Sequence, residues 1–266
     1  MVKTGRILAS AVVAALLIGG AAACAPDRSS LAGQGTTKPT HSAATTPSAT
    51  ATPTPTPTPT PTGFNKHALS ITDPNSIWVV VNKLRPLNPR SYGPPDIITV
   101  PVAHDNPPQL RKVAGDALVQ MFAAGAAAGA GGMQIQSAWR PYATQVRVYA
   151  GWVNSLGQAQ ADRQSARPGY SEHQTGLAVD ISPVPLKCAL AACFGTTPQG
   201  RWLAANAYKF GFLLRYPADK TAITGYEYEP WHFRYIGVSL ATEMHNEHIE
   251  TLEEFFGLPA APDYAK

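Results

Sequence analysis

The most informative segment of the sequence is Ser171-Glu172-His173-Gln174-Thr175-Gly176-Leu177-Ala178-Val179-Asp180. Its second half continues as a short apolar run over 177–181, which is typical of a strand. Gly176 permits a turn before that strand, because glycine adopts backbone conformations that other residues avoid. Such a turn would bring His173 and Asp180 together from two sides of one corner.

A second group of reactive side chains follows about fifty residues later, in Glu229-Pro230-Trp231-His232-Phe233-Arg234-Tyr235. Together, His173, Asp180 and His232 offer two imidazoles and one carboxylate, a ligand set that gives zinc a fourth position open to water. Glu229 is placed to accept a proton from an attacking water and pass it to a leaving amine. Taken singly, each residue also has a structural interpretation, such as a hydrogen-bonded histidine or a turn-capping aspartate.

The pattern S-x-H-x-x-G-x-A-x-D followed by E-x-W-H resembles the D-alanyl-D-alanine carboxypeptidases and dipeptidases of the vancomycin-resistance type. These belong to a group of zinc peptidases that also includes lysostaphin-like peptidases and hedgehog domains. The resemblance runs from about Trp78 to Phe256, and residues 81–87 are similar to the first segment of the family's domain. Residues 137–142, with Gln145, resemble its S-x-Y-R motif and downstream glutamine, although Trp139 replaces the usual tyrosine.

The resemblance implies a zinc carboxypeptidase that binds one ion per chain and removes the terminal D-alanine from peptidoglycan stem peptides. It implies these roles: His173, Asp180 and His232 as zinc ligands, Glu229 as general base, Arg140 at the oxyanion, and Gln145 and Ser171 in holding the substrate. Chemistry supports Arg140 independently, since a fixed guanidinium stabilises the charge that develops when an amide is attacked. The alternative for Arg140 is an ordinary surface salt bridge.

Three other functions remain open at this stage. A peptidoglycan endopeptidase or a D-Ala-D-Ala dipeptidase would use the same zinc site, and a wall-binding module would have lost catalysis. The joint presence of Glu229 and Arg140 argues against the inactive module. A serine carboxypeptidase is disfavoured because the chain contains no S-x-x-K motif.

The remaining pattern predicts an α+β domain with a mainly antiparallel sheet and flanking helices. The family resemblance implies that this is the hedgehog/D-Ala-D-Ala-peptidase-like zinc fold. Helices are predicted from Asn106 to about Ala128, after Pro141, from Thr197-Pro198 to Gly211, and near the C-terminus. Strands are predicted at 77–81, 133–137, 177–181, 212–214 and 231–236. Trp231 and Tyr235 are expected to pack the sheet.

The N-terminus predicts export. Residues 1–23 combine Lys3 and Arg6 with an apolar run and small residues, which is typical of a signal peptide. Cys24 directly after those small residues resembles a lipobox, with Ala21 in place of the usual leucine, and predicts a membrane lipoprotein facing the cell wall. Ordinary cleavage and secretion, or retention of the segment as an anchor, are the alternatives.

Residues 24–62 are rich in Pro, Thr, Ser and Ala, a composition that favours an extended stalk and cannot form a core. Residues 63–266 then form one catalytic domain. The formal net charge is +4 and falls to +2 without Lys3 and Arg6. No basic patch is interleaved with aromatic residues, so nucleic acid is not expected as a partner.

Two further pairs of residues have spacings that invite a functional interpretation. Cys188 and Cys193 have four residues between them and are predicted to form a disulfide, which would stabilise so short a loop by about 2 kcal/mol. His245 and His248 form an H-x-x-H pair among several glutamates. We expect a charged, solvated helix face there and assign it no metal.

Overall fold

The computed structural model describes residues 63–265. The predicted signal peptide, Cys24 and the stalk therefore lie outside the described residues. Within them, no helix is long and apolar enough to cross a membrane.

The domain combines seven α-helices with two antiparallel sheets in its described part. The helices are α1 (Lys112–Ala127), α2 (Tyr142–Leu156), α3 (Gln158–Gln164), α4 (Pro198–Asn206), α5 (Thr221–Thr224), α6 (Val238–Asn246) and α7 (Leu252–Phe255). The strands are β1 (Ile97–Thr99), β2 (Gln109–Arg111), β3 (Gly132–Ser137), β4 (Ala178–Val184), β5 (Phe212–Leu214) and β6 (His232–Tyr235). Short 3₁₀ helices cover Glu172–Thr175, Ala192–Thr196 and Ala207–Phe210.

The main sheet has the strand order β3-β4-β6-β5, and every neighbouring pair is antiparallel. Strands β1 and β2 form a separate two-stranded sheet. The α+β prediction is therefore confirmed, and four of the five predicted strands are present. Helix α1 contacts β3 and buries Leu118, Met121 and Phe122 in a core shared with Val179 and Phe233.

The first helix begins later than its pattern predicts. It begins at Lys112 instead of following Asn106, because residues 109–111 pair with β1 as strand β2. The Asn106 side chain does not cap a helix: its amide donates to the carbonyl of Gln136 at 2.7 Å. The predicted end, just before the glycine-rich stretch, is confirmed at Ala127.

The helices predicted after Pro141 and Thr197 are confirmed as α2 and α4. Thr197 caps α4 by accepting a hydrogen bond from the Gly200 amide at 3.0 Å, which satisfies a free amide of the first turn. Gly211 ends the following 3₁₀ helix in a left-handed conformation with φ of 82°.

The predicted strand at 77–81 is wrong. The segment is buried but pairs with no strand of the described residues 63–265, because other groups satisfy its backbone. The Arg234 guanidinium donates to the carbonyls of Ile77 and Val79 at 3.2 and 2.8 Å, and Val80 bonds Ile71. The apolar run thus signals burial, and a buried arginine replaces the neighbouring strand.

The C-terminal helix is interrupted and forms α6 and α7. Its predicted solvated glutamate face is wrong for Glu253, which is 1% exposed and ion-paired with Arg215. The apolar neighbours Leu252 and Phe255 pack into a second core cluster and carry Glu253 inward with them. On α6, His245 stacks on Tyr208 with ring centroids 3.6 Å apart.

Candidate active site

Three elements bring together the side chains predicted to hold metal. His173 lies in the 3₁₀ helix Glu172–Thr175, while Asp180 and His232 lie directly opposite each other on β4 and β6. Gly176 makes the corner between His173 and β4 in a left-handed conformation with φ of 69°. A Cβ there would also lie 2.8 Å from the Ile97 side chain, so glycine is required for both reasons.

These three residues, named here the metal triad, lie close enough to share one ion. Their ligand atoms all fall within 4.8 Å of one another. The Asp180 carboxylate lies 3.2 Å from His173 Nε2 through one oxygen and 3.2 Å from His232 Nδ1 through the other. All three side chains are nearly buried. Two imidazoles and a carboxylate in this arrangement match the ligands of a catalytic zinc site.

Each histidine of the triad uses its other ring nitrogen elsewhere. His173 Nδ1 lies 2.8 Å from the carbonyl of Ala138, which only accepts, so this nitrogen carries the proton. His232 Nε2 lies 3.3 Å from Oε2 of the buried Glu172. These contacts leave His173 Nε2 and His232 Nδ1 facing Asp180, and each of these nitrogens can bind a metal when its ring is neutral.

The charges around the triad also fit a cation. Asp180 Oδ1 is buried and, among the described residues, has no donor in hydrogen-bonding geometry despite its short distance to His232. Burial would raise the pKa of Asp180, but His173 and His232 hold it well below its usual range. Burial would lower the pKa of His232, but the Asp180 and Glu172 carboxylates beside its two ring nitrogens raise it to about 9. The site therefore favours a positive charge between its carboxylates.

Glu229 stands at the edge of the triad. Its Oε2 lies 3.7 Å from His232 Nδ1, and the His232 amide donates to the Glu229 carbonyl at 3.1 Å. Burial raises the pKa of Glu229 to about 8. A cation at the triad would lower that pKa, because opposite charges favour the ionised form. A buried carboxylate beside a metal site has the properties of a general base.

Arg140 is fixed by two hydrogen bonds before any substrate arrives. Its Nη1 donates to Gln145 Oε1 at 3.0 Å and its Nη2 donates to Ser137 Oγ at 2.7 Å. Its backbone amide bonds the carbonyl of His173, which ties it to the triad. A guanidinium has five N–H donors, so three remain for another acceptor.

A cavity of about 340 Å³ opens over the triad. Arg140, Ser171 and Glu229 line it together with the triad, so these six predicted site residues share one space. Gln145 does not line it. This residue is fully buried behind Arg140, and its amide donates to the carbonyl of Ala166 at 2.6 Å.

Known proteins share this sequence and architecture. A profile of the VanY family, described as D-alanyl-D-alanine carboxypeptidase, matches residues 107–238. The putative carboxypeptidase YodJ of Bacillus subtilis (strain 168) is 40% identical over 192 residues, which cover 70% of this chain and 69% of YodJ. The chain belongs to the VanY family. Matches to the enterococcal D-alanyl-D-alanine carboxypeptidases are shorter, covering 37% and 26% of those proteins.

Two solved structures agree with the assignment to the VanY family. The LdcB LD-carboxypeptidase superposes with a TM-score of 0.64 at 40% identity, covering 69% of this chain and 87% of that one. The vancomycin-resistance D,D-pentapeptidase VanY from a VanB-type cassette, in complex with Zn(II), gives a TM-score of 0.56 at 30% identity. That match covers 68% of this chain and 98% of the other.

The structure adds a buried group that the motif did not reveal. Glu172, the unassigned position between Ser171 and His173, contacts His232, Arg215 and Arg234. The position of Arg234 could have been predicted from the sequence. It lies two residues after His232 on β6, and side chains two residues apart on a strand point to the same face. For Arg215 the sequence carries no comparable signal.

The aromatic and cysteine predictions have different outcomes. Tyr235 packs in the core, but Trp231 both packs against the core and lines the cavity. Cys188 and Cys193 are bonded to each other, as predicted. Their loop carries Leu190, which is exposed and lines the cavity, so the disulfide shapes part of its wall.

Proposed function

We propose that this VanY-family protein is a zinc-dependent carboxypeptidase that removes the C-terminal D-alanine from peptidoglycan stem peptides. The observation that carries the proposal is the metal triad at a cavity that also presents Glu229 and Arg140. The names of the enterococcal relatives support the same activity.

The triad would hold one zinc ion through His173 Nε2, His232 Nδ1 and the Asp180 carboxylate. Bound zinc supplies Lewis-acid chemistry, which makes water nucleophilic at neutral pH and polarises a carbonyl. Burial lowers the pKa of His173 below its ordinary value, so this ring is neutral and its Nε2 can act as a ligand.

The chain's own residues would perform the proton transfer and stabilise the charge. Water attacks the carbonyl carbon of the penultimate residue while Glu229 takes its proton. The C–N bond then breaks, and Glu229 passes the proton to the nitrogen of the departing D-alanine. Arg140 stabilises the negative carbonyl oxygen through its free N–H donors. The Ser171 hydroxyl donates to the terminal carboxylate.

A second specificity is favoured by one comparison. LdcB, an LD-carboxypeptidase, matches this chain with both higher identity and higher TM-score than the zinc-bound VanY. An L,D-enzyme releases D-alanine from a tetrapeptide whose penultimate centre is L, whereas a D,D-enzyme cuts between two D-residues. The same triad, base and guanidinium serve both reactions, so only the substrate distinguishes them.

One assay separates these functions. The purified protein is incubated with a stem pentapeptide ending in D-Ala-D-Ala, with the matching tetrapeptide, and with free D-Ala-D-Ala, and products are identified by mass spectrometry. We expect loss of one alanine from the pentapeptide, abolished by a chelator and restored by zinc. Cleavage of the tetrapeptide alone would assign L,D-activity, and cleavage of the dipeptide alone would assign a dipeptidase. No cleavage by zinc-loaded protein would refute the proposal.

For its location, we propose a lipoprotein that acts outside the cytoplasm, tethered through Cys24 by the stalk. Its relatives' action on peptidoglycan supports placement near the wall. A stalk of extended residues would reach on the order of 120 Å from the membrane. Replacing Cys24 with Ala should release the protein into the medium. Unchanged membrane attachment would favour a retained N-terminal anchor.

A further inference from the structure

A buried ion cluster adjoins the metal triad. It consists of two arginines and two glutamates that are at most 2% exposed: Glu172, Arg215, Arg234 and Glu253. Buried charges are costly unless each is paired, and here the two positive and two negative groups balance. Such an arrangement can serve structure alone, so its role depends on how it contacts the triad.

Glu172 divides its two oxygens between the arginines and the triad. Its Oε1 accepts from Arg215 Nε and Arg234 Nη1, both at 2.9 Å. Its Oε2 lies 3.3 Å from His232 Nε2. A purely structural carboxylate could accept an arginine fork through both oxygens. Here the second oxygen is left for the histidine.

We propose that Glu172 is a positioning residue that keeps the proton of His232 on Nε2 and thereby presents Nδ1 as a metal ligand. The inference rests on the metal site of the proposed function. His232 Nε2 makes a hydrogen bond with Glu172, whereas His232 Nδ1 makes none with Asp180 Oδ1 despite their separation of 3.2 Å. Because a carboxylate only accepts hydrogen bonds, the single proton of the neutral ring belongs on Nε2. Partners of this kind orient metal-binding histidines, and their loss typically weakens metal affinity by about 10–100-fold.

The arginines determine what a conservative change at this position would do. In Glu172→Gln, the two guanidinium groups would attract the amide oxygen, because they have only donors. The amide N–H would then face His232 Nε2, which could accept only without its proton. The proton would move to Nδ1, the nitrogen that must be free for metal. The substitution therefore inverts the tautomer as well as removing a charge.

Glu253 provides a matched control within the same cluster. It accepts two hydrogen bonds from Arg215, at 3.0 and 2.8 Å, and one from Asn82 at 2.8 Å. It has no contact with His232. Glu253→Gln therefore disturbs a buried ion pair of comparable burial without changing what faces the imidazole.

The test measures zinc affinity by competition with a chromogenic chelator, using full-length protein. We expect Glu172→Gln to weaken zinc binding by about 10–100-fold. Glu253→Gln should stay within about threefold while lowering the melting temperature. Equal zinc affinity in wild type and Glu172→Gln, or equal losses in both variants, would overturn the inference. If the wild type itself binds no zinc, the proposed function fails instead.

A second measurement keeps the inference testable if Glu172→Gln does not fold. Nitrogen-15 chemical shifts of the metal-free wild type, recorded where the imidazoles are neutral, should show the proton of His232 on Nε2. His173 is the internal control, because the Ala138 carbonyl fixes its proton on Nδ1. A His232 proton on Nδ1 in the wild type would overturn the inference.

Discussion

Arg140→Lys tests whether the guanidinium stabilises the transition state. In the structure the arginine uses two donors on Gln145 and Ser137, which aim the rest of the planar group. Lysine keeps the charge but carries all its donors on one nitrogen. It cannot bond both anchors and also direct a donor into the cavity in the same geometry.

The expected magnitude follows from those contacts. Losing one directed donor at an oxyanion typically costs about 2.7–4 kcal/mol, which lowers kcat by about 10²–10³-fold. The buried Gln145 Oε1 would also lose its donor, at a cost of about 1–3 kcal/mol in stability. For a domain of this size each kcal/mol lowers the melting temperature by about 2–4 °C.

The assay is steady-state release of D-alanine from the stem pentapeptide, combined with thermal unfolding and zinc content. Arg147→Lys is the matched control, because this arginine lies on α2, is exposed and bonds only Thr144 among the described residues. We expect the control to retain kcat within about twofold, and both variants to retain zinc.

Two results would contradict the assignment of Arg140. A kcat within about threefold of wild type would mean that the guanidinium does not stabilise the oxyanion. A raised KM with unchanged kcat would mean that it binds the substrate equally in the ground and transition states, for example at the terminal carboxylate.

The other predictions concern the metal, the base and the substrate carboxylate. Alanine at any member of the metal triad should abolish binding of about one zinc per chain, measured by elemental analysis, while circular dichroism stays native; retained zinc in all three would refute the ligand set. Glu229→Gln should keep zinc but lose at least about 10²-fold in kcat, and a near-normal rate would exclude it as the base. Amidating the terminal D-alanine should lower kcat/KM at least about tenfold, or ~1.4 kcal/mol, and Ser171→Ala should reduce this difference between the free and the amidated peptide. Equal cleavage of the two peptides would instead indicate an endopeptidase.

The site could be predicted further than the fold around it. The metal triad lies within two short motifs, and the spacing of these motifs is enough to predict that His173, Asp180 and His232 converge. Helix starts were less predictable: the apolar period before α1 suits a helix, yet pairing with β1 extends residues 109–111. Pairing with a neighbouring strand overrides the local helix propensity there.

The buried ion cluster could not be predicted because charged residues are normally exposed. Composition therefore assigns Glu253 to solvent, and only the tertiary arrangement places Arg215 beside it. The same reasoning applies to the segment 77–81, whose carbonyls bond the Arg234 side chain instead of a strand. A contact with an arginine distant in sequence thus replaces the solvent exposure expected for Glu253 and the strand pairing expected for residues 77–81.

The register of β4 and β6 connects the apolar core to the metal triad. Val179 pairs with Phe233 on the face that builds the apolar core. Because side chains alternate along a strand, Asp180 and His232 must then pair on the opposite face. Arg234, two residues beyond His232, shares that face and bonds Glu172. Slipping the register by one residue would turn these polar side chains into the apolar core and Phe233 toward the metal triad. The hydrophobic effect that folds the sheet therefore also aligns two members of the triad and the arginine behind them.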